Sequence, residues 1–183
     1  MPDDASFDGL EELRRDHLSV ESLFAKVSGT AEADPAVVNR IVKDLSVHDV
    51  IEKEHLYPLV RDRLPEGNQL ATRSFDEHAS VAADLAEIDR RPPDDPYRRE
   101  LLDRLMLIVR THVDEEEGQI FPALRARLAP EELDELGTAL RSARSKAPTR
   151  PHPHSPRGGL ATKVVGAAAA PLDKLRDRVH RRP

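Results

Sequence analysis

The sequence predicts an all-α fold, an up-and-down antiparallel four-helix bundle with a short fifth helix and a disordered basic C-terminal tail, and three observations carry that prediction. Apolar residues recur at steps of three and four through four long stretches punctuated by Pro, Gly and Asp. Leu, Val, Ala and Ile supply most of the apolar content, while aromatics make up only 3% of the 183 residues, a balance that suits packed helices. Charge is divided along the chain: residues 1–140 carry 17 Lys and Arg against 32 Asp and Glu, residues 141–183 carry 11 against 2. An acidic body followed by a basic extension is the pattern of a folded domain with a tail.

The first helix is expected from about Asp8 to Ser28, with a seam of Leu10, Leu13, Val20, Phe24 and Val27 whose one gap is filled by His17. Gly29 ends it, and Asp34-Pro35 opens the next, with Asp as cap and Pro at the first helical position. The second, Pro35 to Leu64, places Val38, Ile41, Leu45, His48, Glu52, His55 and Leu59 on one seam, and Pro58 is expected to kink it by removing a backbone donor. A turn from Pro65 to Asn68 leads to the third helix, Gln69 to Arg90, whose seam of Ala71, Ser74, Val81, Leu85 and Ile88 again holds a histidine, His78. After a proline-rich loop the fourth, Pro96 to Leu128, aligns Leu101, Leu105, Ile108, His112, Glu116, Gln119 and Ala123. A short fifth helix, Pro130 to Arg144, caps the bundle. The bundle is assigned to residues 1–146. Residues 147–183, rich in Pro, Arg and Ala, are too poor in apolar side chains to order themselves, apart from one short basic helix at 171–182.

Composition excludes several chemistries. The chain has no cysteine, so disulfides, thiolate zinc sites, iron–sulfur clusters and thiol catalysis are all absent. Any metal must be held by nitrogen and oxygen. No Gly-rich phosphate loop, Gly-x-Ser-x-Gly elbow or His-Glu-x-x-His motif occurs. No apolar run reaches the ~20 residues of a membrane span, and the acidic start Met-Pro-Asp-Asp lacks signal-peptide features. The expected location is the cytoplasm, with no membrane partner.

An internal repeat organises the rest. His48, Glu52, Tyr57 and Pro58 recur as His112, Glu116, Phe121 and Pro122, each 64 residues later. Residues four apart share a helix face, so one imidazole and one carboxylate in each half can reach one ion. Counting from the shared loops, His17 lies 11 residues before Ser28, His48 lies 13 after Pro35, and His78 and Glu52 fall at similar depths on their helices. Together with His112 and Glu116 they occupy one slab near the middle of the bundle. A single mid-helix histidine is most often a hydrogen-bonded core residue, and each His-x-x-x-Glu pair alone is weak in so acidic a chain. Six titratable groups at one buried level are different, because buried charge must be paired or coordinated. A pair of divalent cations between four imidazoles and two bridging carboxylates meets that demand. Iron, manganese and zinc all suit such ligands.

The set His17, His48-x-x-x-Glu52, His78 and His112-x-x-x-Glu116, with Tyr57-Pro58 and Phe121-Pro122 closing the two halves, resembles the hemerythrin-like, or HHE cation-binding, domain family over about residues 8–128. The resemblance implies a non-heme di-iron centre with two iron ions, the four histidines as terminal ligands and Glu52 and Glu116 as bridges. It implies binding or sensing of dioxygen, nitric oxide or iron itself; the alternative is a peroxidase or catalase-like scavenger of peroxide at the same site. Whether the protein is an enzyme stays open between them, and a metal-free bundle serving as an interaction module stands as the third reading.

The sequence also departs from the family pattern. Oxygen-carrying hemerythrins have five histidines and a carboxylate five residues after the last; here Glu116 is four after His112. His55, three after Glu52 on the same seam, is the candidate for the fifth, as a ligand, as a residue behind the ligands, or as an ordinary core histidine. Asp49 is a further candidate, aimed less well. Asp16, Glu77, Asp114, Glu115 and Glu117 read as a solvated acidic face. The basic tail reads as a solvated linker lacking the interleaved aromatics of a nucleic-acid binder, and His152 and His154 within it read as incidental. Nucleic acid is not an expected partner, and the oligomeric state is left open.

Overall fold

Three aspartates set where helices begin. Asp8 Oδ1 accepts from the Leu10 N–H at 2.9 Å, Asp34 Oδ1 from Ala36 at 2.8 Å, and Asp95 Oδ1 from Tyr97 at 2.9 Å, each satisfying an amide that has no partner in the first turn. The computed structural model describes residues 8–30 and 32–151. The expected helix at 171–182, and the tail beyond residue 151 with His152 and His154, lie outside the described residues.

The chain runs through α1 (Gly9–Val27), α2 (Pro35–Ile51), a first π turn (Glu52–Leu56), α3 (Tyr57–Arg63), α4 (Gly67–Arg90), α5 (Pro96–Glu115), a second π turn (Glu116–Ile120), α6 (Phe121–Arg125) and α7 (Pro130–Arg144). α2 and α3, and likewise α5 and α6, are single helical rods interrupted by their π turns. The described residues form four long rods plus α7 and contain no strand, so the fold is the expected helical bundle. No helix among them is long and apolar enough to cross a membrane.

A π turn precedes each of the two prolines. Pro58 and Pro122 have no N–H for the carbonyl four residues back, and their rings crowd it. The preceding turn widens instead. Tyr57 N–H bonds to Glu52 C=O and Phe121 N–H to Glu116 C=O, five residues back in each half. With this spacing residue i+5 returns over residue i, where an α-helix would return i+4.

Two apolar clusters fill the bundle. One gathers Leu10, Leu13, Ile51, Leu56, Tyr57, Phe121 and Leu124 with Leu133, Leu136 and Leu140 of α7; the other gathers Val20, Phe24, Ile41, Leu85, Ile88, Leu101 and Leu105. Each fully buried side chain of this size contributes about 1.5–3 kcal/mol. The polar slab lies between them. The fifth helix packs along α1, not merely over an end. There α1 must start with a glycine: a Cβ on Gly9 would stand 2.4 Å from Leu136 Cγ and 2.7 Å from the Gly137 nitrogen.

Residues 147–151 depart from the assignment of the tail. Ala147 is 3% exposed and joins the first cluster, Thr149 is buried, and Arg150 pairs with Asp89. Small side chains and one arginine that finds a carboxylate suffice to seat this segment, although it has no apolar run.

Candidate metal centre

His17 on α1, His48 on α2, His78 on α4 and His112 on α5 turn their Nε2 atoms toward one another at the level where the two apolar clusters part. Their potential ligand atoms fall into two groups, His17, His48, Glu52 and Glu116 in one and Glu52, His78 and His112 in the other, all atoms of a group within 4.8 Å of one another. The two carboxylates straddle the groups. Glu52 places Oε1 3.1 Å from His48 Nε2 and Oε2 3.3 Å from His78 Nε2. Glu116 places Oε2 3.5 Å from His17 Nε2 and Oε1 3.4 Å from His112 Nε2. Both glutamates are 0% exposed.

Whether a cation fits can be read from the unsatisfied atoms. His17 Nε2, Glu52 Oε1 and Glu116 Oε2 are buried without a hydrogen bond, and all three belong to the first group. Orphaned buried polar atoms are costly. Three of them facing one space, with nitrogen and oxygen donors on every side, fit a cation of the iron, manganese or zinc type.

Behind the rings the structure builds what the sequence left to solvent. His112 Nδ1 lies 2.7 Å from Glu77 Oε2, His78 Nδ1 2.8 Å from Asp49 Oδ1, His17 Nδ1 2.8 Å from Glu117 Oε1, and His48 Nδ1, more loosely, 3.5 Å from Asp16 Oδ2. Each carboxylate can accept a hydrogen bond from Nδ1–H, the arrangement that would direct a neutral ring's Nε2 lone pair inward toward an ion. Asp16, Glu77 and Glu117 are thus not a solvated face. They sit one residue from a buried histidine or glutamate of the cluster in sequence, and helix packing turns each toward the ring of a neighbouring helix. Three of the carboxylates are anchored in turn, Asp16 by Arg144 of α7 at 2.6 Å, Asp49 by Lys53 at 2.6 Å, and Glu117 by Arg14 at 3.1 Å.

Asp49 therefore stands behind His78 and outside both groups. His55 is also outside them, its Nε2 3.8 Å from Glu54 Oε2. The π turn explains His55: three residues after Glu52 no longer falls on the Glu52 face, and five residues after does. That position is Tyr57. Its hydroxyl, fully buried, donates to Glu116 Oε1 at 2.9 Å and lies 2.7 Å from His78 Nε2 and 3.2 Å from His112 Nε2. Sequence reasoning passed over Tyr57, whose signal was the one chemical difference in the repeat. At the matching place in the other half Phe121 stacks on His17, ring centroids 5.8 Å apart. The two groups are consequently unlike, one closed by a phenyl ring and one by a phenol.

In the metal-free protein the electrostatics reflect this crowding. Burial pulls the His17 ring toward neutrality, but the Glu116 and Glu52 carboxylates outweigh it and hold its pKa up to about 9. Burial acts likewise on His112 and is outweighed by Glu116 and Glu77, raising it to about 10. His48 is raised as well, and burial of Glu52 is overcome by its imidazole neighbours, which hold it well below the usual carboxylate range. Burial and both glutamates push the Tyr57 hydroxyl upward, keeping it protonated. Without metal, the two buried glutamates favour the protonated form of His17, His48 and His112.

The geometry has counterparts among known proteins. The family model described as Hemerythrin HHE cation binding domain matches residues 8–124. An uncharacterized hemerythrin-like protein of Schizosaccharomyces pombe is 30% identical over 172 residues, covering 92% of this chain and 85% of that protein. A protein of Nostoc named DNA nickase is 32% identical over 152 residues, and this chain spans 41% of its length. A crystal structure of a hemerythrin HHE cation binding domain-containing protein from Mycobacterium kansasii superposes with a TM-score of 0.60 at 23% identity, covering 74% of this chain and 84% of that one, a likeness of fold.

Proposed function

The chain belongs to the hemerythrin HHE cation-binding domain family, and from that premise we propose that it is a non-heme di-iron protein that binds or senses dioxygen, nitric oxide or iron at the centre inside its bundle. The observation that carries the reading is the pair of ligand groups shared by Glu52 and straddled by Glu116, with three of their atoms buried and unsatisfied. His17 and His48 would hold one ion and His78 and His112 the other, with Glu52 and Glu116 between them. Such ions supply open coordination positions and redox chemistry when bound.

The chain's own residues prepare that chemistry. Asp16, Asp49, Glu77 and Glu117 set the proton on Nδ1 of each histidine, which fixes both tautomer and ring orientation. Leu56, Tyr57, Ile120 and Phe121, all under 5% exposed, exclude water from one side. The Tyr57 hydroxyl holds a proton beside Glu116 Oε1. That phenol, within reach of His78 and His112, favours a second reading at the same site, the scavenging of peroxide, because it can deliver a proton to a small ligand there. Under either reading the protein acts in the cytoplasm.

Metal analysis with an absorption spectrum, on full-length protein expressed with ample iron, tests the proposal. Two irons per chain and a visible absorption that responds to oxygen or peroxide are expected, and both should vanish in Glu52→Ala and Glu116→Ala. A preparation that stays metal-free overturns it. Peroxide turnover that survives both substitutions removes the scavenger reading.

A further inference from the structure

A cavity of about 390 Å³ opens on the ligand cluster from the side of the second apolar cluster. The rings of His17, His48, His78 and His112 form its floor, and Val20, Phe24, Leu45, Val81, Val109 and Val113 form its walls. Glu52, Glu116 and Tyr57 do not line it; they close the opposite side of the cluster. The space reaches the surface between α1 and α5, where Leu18, 69% exposed, stands at the rim beside the Glu21–Arg110 pair, joined by bonds of 2.9 and 2.7 Å.

Diatomic ligands and peroxide do not require so much room. At ~30 Å³ for a water-sized unit the cavity takes about a dozen heavy atoms, and it falls within the roughly 300–1,000 Å³ of pockets that enclose organic ligands. Its charges, apart from the exposed Asp114, are also committed. Asp16, Asp49, Glu77 and Glu117 each face a histidine Nδ1, and Glu21 and Arg110 hold each other. Between the apolar walls a charged group would leave water without a partner, which is costly; an apolar one would cover six apolar side chains.

We propose that this cavity binds an uncharged organic molecule of about a dozen heavy atoms, with an apolar body between the valines and Phe24 and a single hydroxyl-type end, alcohol or hydroperoxide, directed at the histidine floor. The inference rests on the metal-centre reading only for what that end meets; the fit of the body depends on the walls alone. It makes the buried centre a site for organic oxygen compounds as well as for gases.

The probe is cumyl alcohol, added to full-length protein as purified, with iron content measured on the same sample. Saturable binding is expected, with nuclear Overhauser contacts from the probe's methyl groups to Val20, Val81 and Val109. Val81→Phe and Val109→Phe, which fill the walls without touching a ligand, should each weaken binding at least tenfold while iron per chain is unchanged. The ammonium analogue of the same size should bind at least tenfold more weakly than the alcohol. Absence of saturable binding, contacts elsewhere on the protein, or equal binding of the ammonium analogue overturns the proposal. If iron is absent but the probe binds the valines, the metal reading fails and the cavity stands; if two irons are present and the probe does not bind, the cavity proposal fails and the metal reading stands.

Discussion

Replacing Glu77 by alanine should weaken one metal position and spare the other. Glu77 Oε2 lies 2.7 Å from His112 Nδ1, the shortest of the four imidazole–carboxylate contacts. A buried hydrogen bond to a charged group contributes about 1.5–3 kcal/mol. Because the Glu77 side chain is 31% exposed, solvent screening reduces this to about 1 kcal/mol in the metal-free fold. The larger consequence is for the ion. Losing the group that fixes a ligating histidine costs about 10–100-fold in affinity, which is about 1.4–2.8 kcal/mol at about 1.4 kcal/mol per tenfold. Since His112 belongs to only one of the two ligand groups, chelator competition should become biphasic, with one iron released at about 10–100-fold lower chelator and the other at the wild-type concentration. Glu77→Gln, whose amide oxygen still accepts from Nδ1, should recover most of the loss. Asp16→Ala should do less than Glu77→Ala, because the His48 contact is 3.5 Å. Equal weakening of both irons, or none, would refute the idea that the outer carboxylates act one histidine at a time.

Tyr57→Phe, which copies the Phe121 half of the repeat, should lower the stability of the metal-free protein by less than about 2 kcal/mol while changing the absorption of the loaded centre; an unaltered spectrum would put the phenol outside the chemistry. In the metal-free protein His17 and His112 have folded-state pKa values of about 9 and about 10, above the ~6.5 of an unfolded histidine. Their stabilising effect is therefore complete below about pH 6.5 and is lost as the pH rises through the two folded-state values, as denaturant unfolding at several pH values would record. Metal must displace those protons, so calorimetry in buffers of different ionisation enthalpy should give different apparent heats, and equal heats would contradict the assignment. Gly9→Ala drives a Cβ into Leu136 and Gly137 and should cost about 1–3 kcal/mol, read as a lower denaturation midpoint. With residues 1–140 carrying 17 basic against 32 acidic side chains, the chain should leave supercoiled plasmid intact; metal-dependent relaxed circles that disappear in Glu52→Ala would instead align it with the Nostoc relative.

The bundle, its helix starts and the six residues brought together at mid-height were all legible because each depends on spacing along one helix. A seam at steps of three and four decides what is buried, and an Asp-Pro pair decides where a rod begins. His55 and Tyr57 were not legible in the same way. Their faces depend on whether the backbone after Glu52 closes its hydrogen bond at four residues or five, and Pro58 tips that choice because it has no N–H to offer the Glu54 carbonyl four residues back. The packed segment at 147–151 was missed because its burial comes from surfaces far away in sequence, the first apolar cluster and Asp89.

That imidazoles and carboxylates, without a single thiol, converge at one depth in a helical bundle follows from the amino-acid order alone, since helical periodicity and cysteine content are local properties that no later contact can change. Which carboxylates lie between the histidines and which anchor them from behind depends on packing. Asp16, Asp49, Glu77 and Glu117 acquire their role from rings on neighbouring helices, and Asp16 from an arginine 128 residues away on α7. Such partnerships are set by how helices lie side by side, a relation between distant stretches that the spacing of any one of them does not contain.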